Sequence, residues 1–99
     1  MGLGTYLVLV GVKASFDLQE FKEDLDSLIY DGGNIRKVKS QENPQFDYDC
    51  LVGMKIKSFN DNAASSRGSL SIRTLLEKHM YENDEGEVEV LNVKFLEGF

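Results

Sequence analysis

The one histidine, the one cysteine and the serines of residues 65–71 are the side chains that could act as a base, a metal ligand or a nucleophile. His79 lies on the apolar stripe of a predicted helix, where it could serve as a base or as a histidine at the core edge near a helix C-terminus. With no second histidine, a metal site would need carboxylates alone to complete it. Cys50 lies on the core-facing side of a predicted strand, and no serine lies in a Gly-x-Ser-x-Gly motif. We therefore expect a protein that is not an enzyme, with no catalytic residue, metal or cofactor.

Carboxylates recur in two segments of the chain and give the sharpest functional signal. Residues 17–26 hold five acids against Lys22 alone, and residues 82–89 hold five acids and no base. Rows of carboxylates on a rigid surface can imitate the phosphates of DNA and block a basic groove, through an attraction that salt weakens. The alternative is a solvated face that serves solubility. The residues predicted to contact a protein partner are Glu20, Glu23, Asp24, Asp26, Glu82, Asp84, Glu85 and Glu87.

The charge balance limits the class of partner. A formal net charge of −6 argues against direct binding of nucleic acid, because such binding needs positive charge to displace counterions from phosphates. The net charge is −4 over residues 1–35, +3 over residues 36–78 and −5 over residues 79–99, so the surface is not uniformly acidic. One cysteine cannot form an internal disulfide, and no apolar run reaches the roughly 18 residues of a membrane span. We expect a cytoplasmic protein with no membrane contact.

Hydrophobic periodicity predicts the elements that must position these residues. The predicted elements are a central strand over 5–13, a helix over 17–30 with Asp17 as N-cap, a polar edge strand over 34–40, a strand over 46–59, a helix over 72–80 capped by Ser71, and a strand over 87–96. A loose polar loop is expected over Asn60 to Gly68. A bulge is expected between Val90 and Leu91, where the alternation of the last strand slips.

The order of these elements is βαβ followed by βαβ, and it predicts the fold class. Because each helical crossover prefers a right-handed return into the same sheet, the economical α+β arrangement is a ferredoxin-like split βαβ fold. This fold is a four-stranded antiparallel sheet with two helices on one face, and another two-layer α+β arrangement is the alternative. Residues 1–99 are expected to form a single domain.

Such a sheet leaves one face uncovered in the monomer. If Tyr6, Val8 and Val10 face the helices, then the residues between them face outward. An exposed apolar face of this kind usually marks an interface, and a homodimer is its simplest closed solution. The residues predicted to form this dimer interface are Leu7, Leu9, Leu51 and Leu91.

The run GGNIRKVKS, at residues 32–40 after the first helix, resembles the stretch that follows the first helix of ACT domains. The resemblance covers about nine residues and implies a small-ligand-binding regulatory domain, with a pocket at a dimer interface near Asp31 to Ile35. The leading hypothesis is a small acidic protein-binding module that inhibits a nucleic-acid-handling protein as a partial DNA mimic. The ACT-like regulatory domain is the alternative.

Overall fold

The computed structural model describes residues 3–25, 35–43 and 48–98, and residues 35–43 in their backbone alone. In chain order the elements are β1 (Gly4–Ala14), α1 (Gln19–Leu25), β2 (Ile35–Asn43), β3 (Tyr48–Ser58), α2 (Asp61–Glu77) and β4 (Gly86–Gly98). The strands follow the spatial order β2-β3-β1-β4, and every neighbouring pair is antiparallel.

Strand β1 lies at the centre of the sheet and supplies the middle of the core. Val8, Val10 and Val12 are fully buried, and they pair with Met54, Val52 and Cys50 of β3 in one continuous register. Phe21 and Leu25 of α1 and Ile72 and Leu76 of α2 belong to the same buried cluster. Both described helices therefore pack against one face of the sheet.

The structure corrects the ferredoxin-like prediction of a four-stranded sheet with a shared core. Among the residues whose side chains are described, the sheet residues of the core come from three strands, in the order β3-β1-β4. The backbone of β2 does run beside β3, but its register shifts between Lys37 and Lys39 and again between Gln41 and Asn43. The physical reason lies in the sequence IRKVKSQEN, which has no apolar alternation to fix one register against the core.

Helix α2 replaces the loop that was expected over Asn60 to Gly68. Asn60 is the N-cap, and its side-chain oxygen accepts a hydrogen bond of 2.7 Å from the backbone N–H of Ala63. The buried stripe of the helix begins with Ala64 and Gly68 and continues through Ile72. The loop prediction was wrong because the first half of this stripe consists of small residues, which a search for large apolar side chains does not detect.

Strand β4 carries the predicted bulge and a second one. Val90 pairs with Val10 and Asn92 pairs with Leu9, so Leu91 is the extra residue, which confirms the bulge expected beside it. A further shift between Thr5 and Tyr6 leaves Leu96 as an extra residue that the sequence did not reveal. These bulges interrupt the regular backbone of the strand at the β4 edge of the sheet.

Helix α1 begins close to the predicted position. The Asp17 carboxylate accepts a hydrogen bond of 3.0 Å from the backbone N–H of Gln19, and the carbonyl of Leu18 is the first to accept within the helix. Leu18 is therefore the N-cap, one residue later than predicted, and the Asp17 side chain satisfies an N-terminal donor of the helix from the position before it. The part of the predicted helix beyond Leu25, which includes Asp26, lies outside the described residues. Among the described residues, no helix combines the length and the apolar character that crossing a membrane requires.

Candidate protein-interaction surface

His79, which follows the end of α2, contacts the first acidic segment. Its Nε2 lies 2.7 Å from Oδ2 of Asp24, and its Nδ1 lies 3.7 Å from Oε2 of Glu20. Glu20 and Asp24 are four residues apart on α1 and so share one face of that helix. The His79 side chain is 16% exposed, whereas that of Glu20 is 80% exposed. The histidine therefore joins the two helices while the carboxylates remain open to solvent.

Ser15 and Glu85 make a second joint, between the end of β1 and the start of β4. The Ser15 N–H donates to the Glu85 carbonyl at 2.9 Å, and the Glu85 N–H donates to Oγ of Ser15 at 2.8 Å. In the turn before β4, the Asp84 carboxylate accepts from the backbone N–H of Tyr81 at 2.8 Å. The two hydrogen bonds between Ser15 and Glu85 fix where the second acidic segment lies relative to the start of α1.

The His79–Asp24 and Ser15–Glu85 contacts bring the two acidic segments to the same end of the molecule. We call the exposed carboxylates of this region, Glu20, Glu23, Asp24, Glu82, Glu85 and Glu87, the acidic end. Asp24 also bonds to His79, and Asp84 is half-buried and holds its turn, so these two predicted contact residues have structural contacts as well. No local pattern could have revealed that segments more than fifty residues apart adjoin, because tertiary contacts bring them together.

Two open depressions lie beside the acidic end. The larger has a volume of about 700 Å³, and the smaller a volume of about 450 Å³. Lys13, Gly86 and Glu87 line both of them. The larger also includes Asp49 and Glu85, and the smaller includes Tyr48, Arg73 and Glu89. Tyr48 and Asp49 are residues of this region that the sequence reasoning assigned no role.

Cys50, which could act as a nucleophile, lies inside the core of the protein. Cys50 is a fully buried thiol whose Sγ lies 3.9 Å from the carbonyl of Leu51. Across the described part of the chain, no three His, Cys, Asp or Glu side chains are grouped so that they could hold a metal ion. What the described arrangement offers is an electrostatic surface, with carboxylates held at defined positions by a helix and a turn.

The predicted dimer residues lie in different environments. Leu7 and Leu9 are half-buried on the face of the sheet opposite the helices, and Leu91 is half-buried at the bulge. Leu51 differs from the expectation, since it is only 3% exposed. It pairs with Gly11, and the Tyr48 ring lies so close over Gly11 that an added Cβ would fall 2.8 Å from it. The Tyr48 hydroxyl also donates to the Glu89 carboxylate, so this end of the face is partly covered by the chain itself.

The pocket that the ACT resemblance implies, near Asp31 to Ile35, falls almost entirely outside the described residues. Residues 31–34 lie outside the described part of the chain, and Ile35 begins the backbone of β2. Comparison of the chain with protein-family models, with curated proteins and with solved structures finds no match.

Proposed function

We propose that this chain is a non-enzymatic binding module whose acidic end docks on a basic surface of a protein partner. The observation that carries the proposal is the meeting of the two acidic segments through the His79–Asp24 and Ser15–Glu85 contacts. Carboxylates that share one surface add their potentials, and they attract a basic partner over a range set by the ionic strength. A surface built this way favours fast association and selects partners of opposite charge.

The kind of partner follows from the charge and the rigidity of this surface. A helix and a hydrogen-bonded turn fix the backbone that carries these carboxylates, so little backbone order has to be gained on binding. The groove of a nucleic-acid-binding protein is a basic surface made to receive a row of fixed negative charges. We propose that the chain occupies such a groove and thereby inhibits a nucleic-acid-handling protein, and that it does so in the cytoplasm.

A capture experiment with matched charge reversals tests this proposal. Glu23→Lys/Glu82→Lys changes both acidic segments but leaves the two carboxylates that contact His79 in place. Asp61→Lys/Glu97→Lys makes the same change in net charge outside the acidic end and serves as the control. Each protein is immobilised, exposed to a nuclease-treated cell lysate and washed with rising salt, and the bound proteins are identified by mass spectrometry.

The expected result is a nucleic-acid-binding protein that wild type and control both capture, and that salt or added duplex DNA releases. The acidic-end variant should capture at least about tenfold less of it, since several like charges would then face the basic partner. Equal capture by the acidic-end variant would contradict the proposal. Release by salt but not by duplex DNA would support a basic partner and contradict the DNA-mimic mechanism.

A further inference from the structure

The outer face of the sheet, opposite the helices, has a charge pattern that runs along the strands. We define this outer face by the residues of β3, β1 and β4 that point away from the core, and the register arranges them in cross-strand rows. Successive rows are Lys57–Thr5–Glu97, Lys55–Leu7–Lys94, Gly53–Leu9–Asn92 and Leu51–Gly11–Glu89, and Lys13–Glu87 follows with Asp49 beside it. Lysines therefore dominate one end of the face and carboxylates the other, with Leu7 and Leu9 between them.

This pattern is complementary to itself in one orientation. Consider a two-fold axis that lies between the two faces, perpendicular to the strands, and passes over Leu9. This axis places the lysine end of one copy against the carboxylate end of the other. Lys94 then faces Glu89 of the second copy, Lys57 faces Asp49, and Leu9 faces its own counterpart. Among these rows of β3, β1 and β4, the one like-charge meeting is Glu97 with Glu87, at the corner of the face. A two-fold axis along the strands would instead place Lys94 over Lys55 and Glu87 over Asp49, so that like charges would meet at both ends and only Glu97 would meet a lysine, Lys57.

We propose that the outer face binds a second copy of this chain, with the strands of the two sheets running in opposite directions. Packing of two sheets face to face is a common arrangement, and an isologous interface needs one self-complementary patch. The half-buried side chains of Leu7 and Leu9 supply the apolar centre. Pairing through the β4 edge is disfavoured, because the bulges at Leu91 and Leu96 break its regular backbone. This proposal does not depend on the function proposed for the acidic end.

Paired charge reversals test the arrangement with the purified chain alone. Variant A, Lys94→Glu, reverses the lysine that faces Glu89 of the second copy, and the two-fold axis repeats this pair at both ends of the interface. Variant B, Glu89→Lys, reverses the carboxylate of the same pair. Because variant B also removes the acceptor for the Tyr48 hydroxyl, Tyr48→Phe is the matched control: it loses the same contact without changing the charge. Circular dichroism verifies that each variant is folded, and sedimentation equilibrium at tens of micromolar protein gives the masses.

Wild type and Tyr48→Phe should sediment at twice the chain mass of 11.2 kDa. Variants A and B should each dimerise at least about tenfold more weakly, because like charges then meet at both ends. An equimolar mixture of A and B should regain the dimer mass, since every reversed charge then meets its opposite. A monomeric wild type would overturn the proposal. Variants that each dimerise as well as wild type, or that do not associate when mixed, would also overturn it.

Discussion

At the scale of single residues, His79 connects the fold to the proposed function. It is mostly buried, it lies just beyond α2, and it reaches the Asp24 carboxylate on α1 at 2.7 Å. A hydrogen bond to a charged group contributes about 1.5–3 kcal/mol when it is well shielded, and less where the acceptor is as exposed as Asp24. The histidine therefore holds part of the acidic end in place from within the fold.

His79→Ala should lower the free energy of unfolding by about 1–2 kcal/mol, because it removes this hydrogen bond and leaves part of the site unfilled. For a domain of this size, that loss corresponds to a fall in Tm of about 4–8 °C per kcal/mol. Urea titration and a thermal scan would measure both quantities.

Tyr81→Ala provides the control for His79→Ala, since Tyr81 is a neighbouring aromatic residue that is 82% exposed. Its effect should stay within about 0.5 kcal/mol. If the two variants were equally stable, the contact between His79 and α1 would carry no stability and our account of this joint would fail.

At the scale of elements, the start of helix α2 is the largest difference between the expected and the observed secondary structure. It begins at Asp61, and its first turns press Ala64 and Gly68 onto the sheet. A Cβ added at Gly68 would lie 3.0 Å from Cγ1 of Val8 and 3.1 Å from Cδ1 of Ile56. Small residues thus let the helix approach the sheet closely, and packing rather than helix propensity decides the structure of this segment.

Asn60→Ala should destabilise the protein by about 1 kcal/mol, because the N–H of Ala63 loses its capping partner. Asn62→Ala, two residues later and exposed, is the matched control and should change stability by less than about 0.5 kcal/mol. Chemical unfolding of both variants measures the difference. If the two variants lost the same stability, Asn60 would not be the N-cap, and the helix would begin later in the chain, as the loop expected over Asn60 to Gly68 implied.

Gly68→Leu should cost about 2 kcal/mol or more, because the added side chain meets Val8, Ile56 and Met54 in a packed core. Ser66→Leu lies on the exposed side of the same helix and should change stability by less than about 0.5 kcal/mol. Both changes raise helix propensity, so the contrast in unfolding free energy isolates the packing. A stabilised Gly68→Leu variant would show that α2 does not lie close to β1 and β3.

The sequence predicts an element when large apolar residues mark its buried side. Strand β1, with its continuous apolar run, and the bulge at Leu91, with its broken alternation, were both predicted for that reason. The first half of α2 was missed because alanine and glycine form its buried stripe. The polar β2 was predicted as an edge strand, but its sequence has no alternation that could specify its register. The position of Tyr48 over Gly11 was also missed, because Tyr48 lies two residues before Cys50, which was expected on the core-facing side of the strand.

At the scale of the whole molecule, the chain presents two surfaces of different character. The acidic end gathers carboxylates of one sign from segments far apart in sequence, and the outer face distributes both signs along three strands. The acidic residues themselves were identified from the sequence, but their meeting was not, because the His79–Asp24 and Ser15–Glu85 contacts are tertiary. The proposed function depends on that meeting.

Carboxyl footprinting of the chain, free and bound to the protein that it captures, tests this claim most directly. A carbodiimide reagent labels exposed carboxylates, and mass spectrometry compares the labelling of each one in the two states. We predict that binding protects Glu23 of the first segment together with Glu82 and Glu85 of the second, while Asp61 and Glu97 remain labelled to the same extent. Protection confined to one segment, or protection of Asp61 and Glu97 instead, would contradict a single acidic surface formed by both segments.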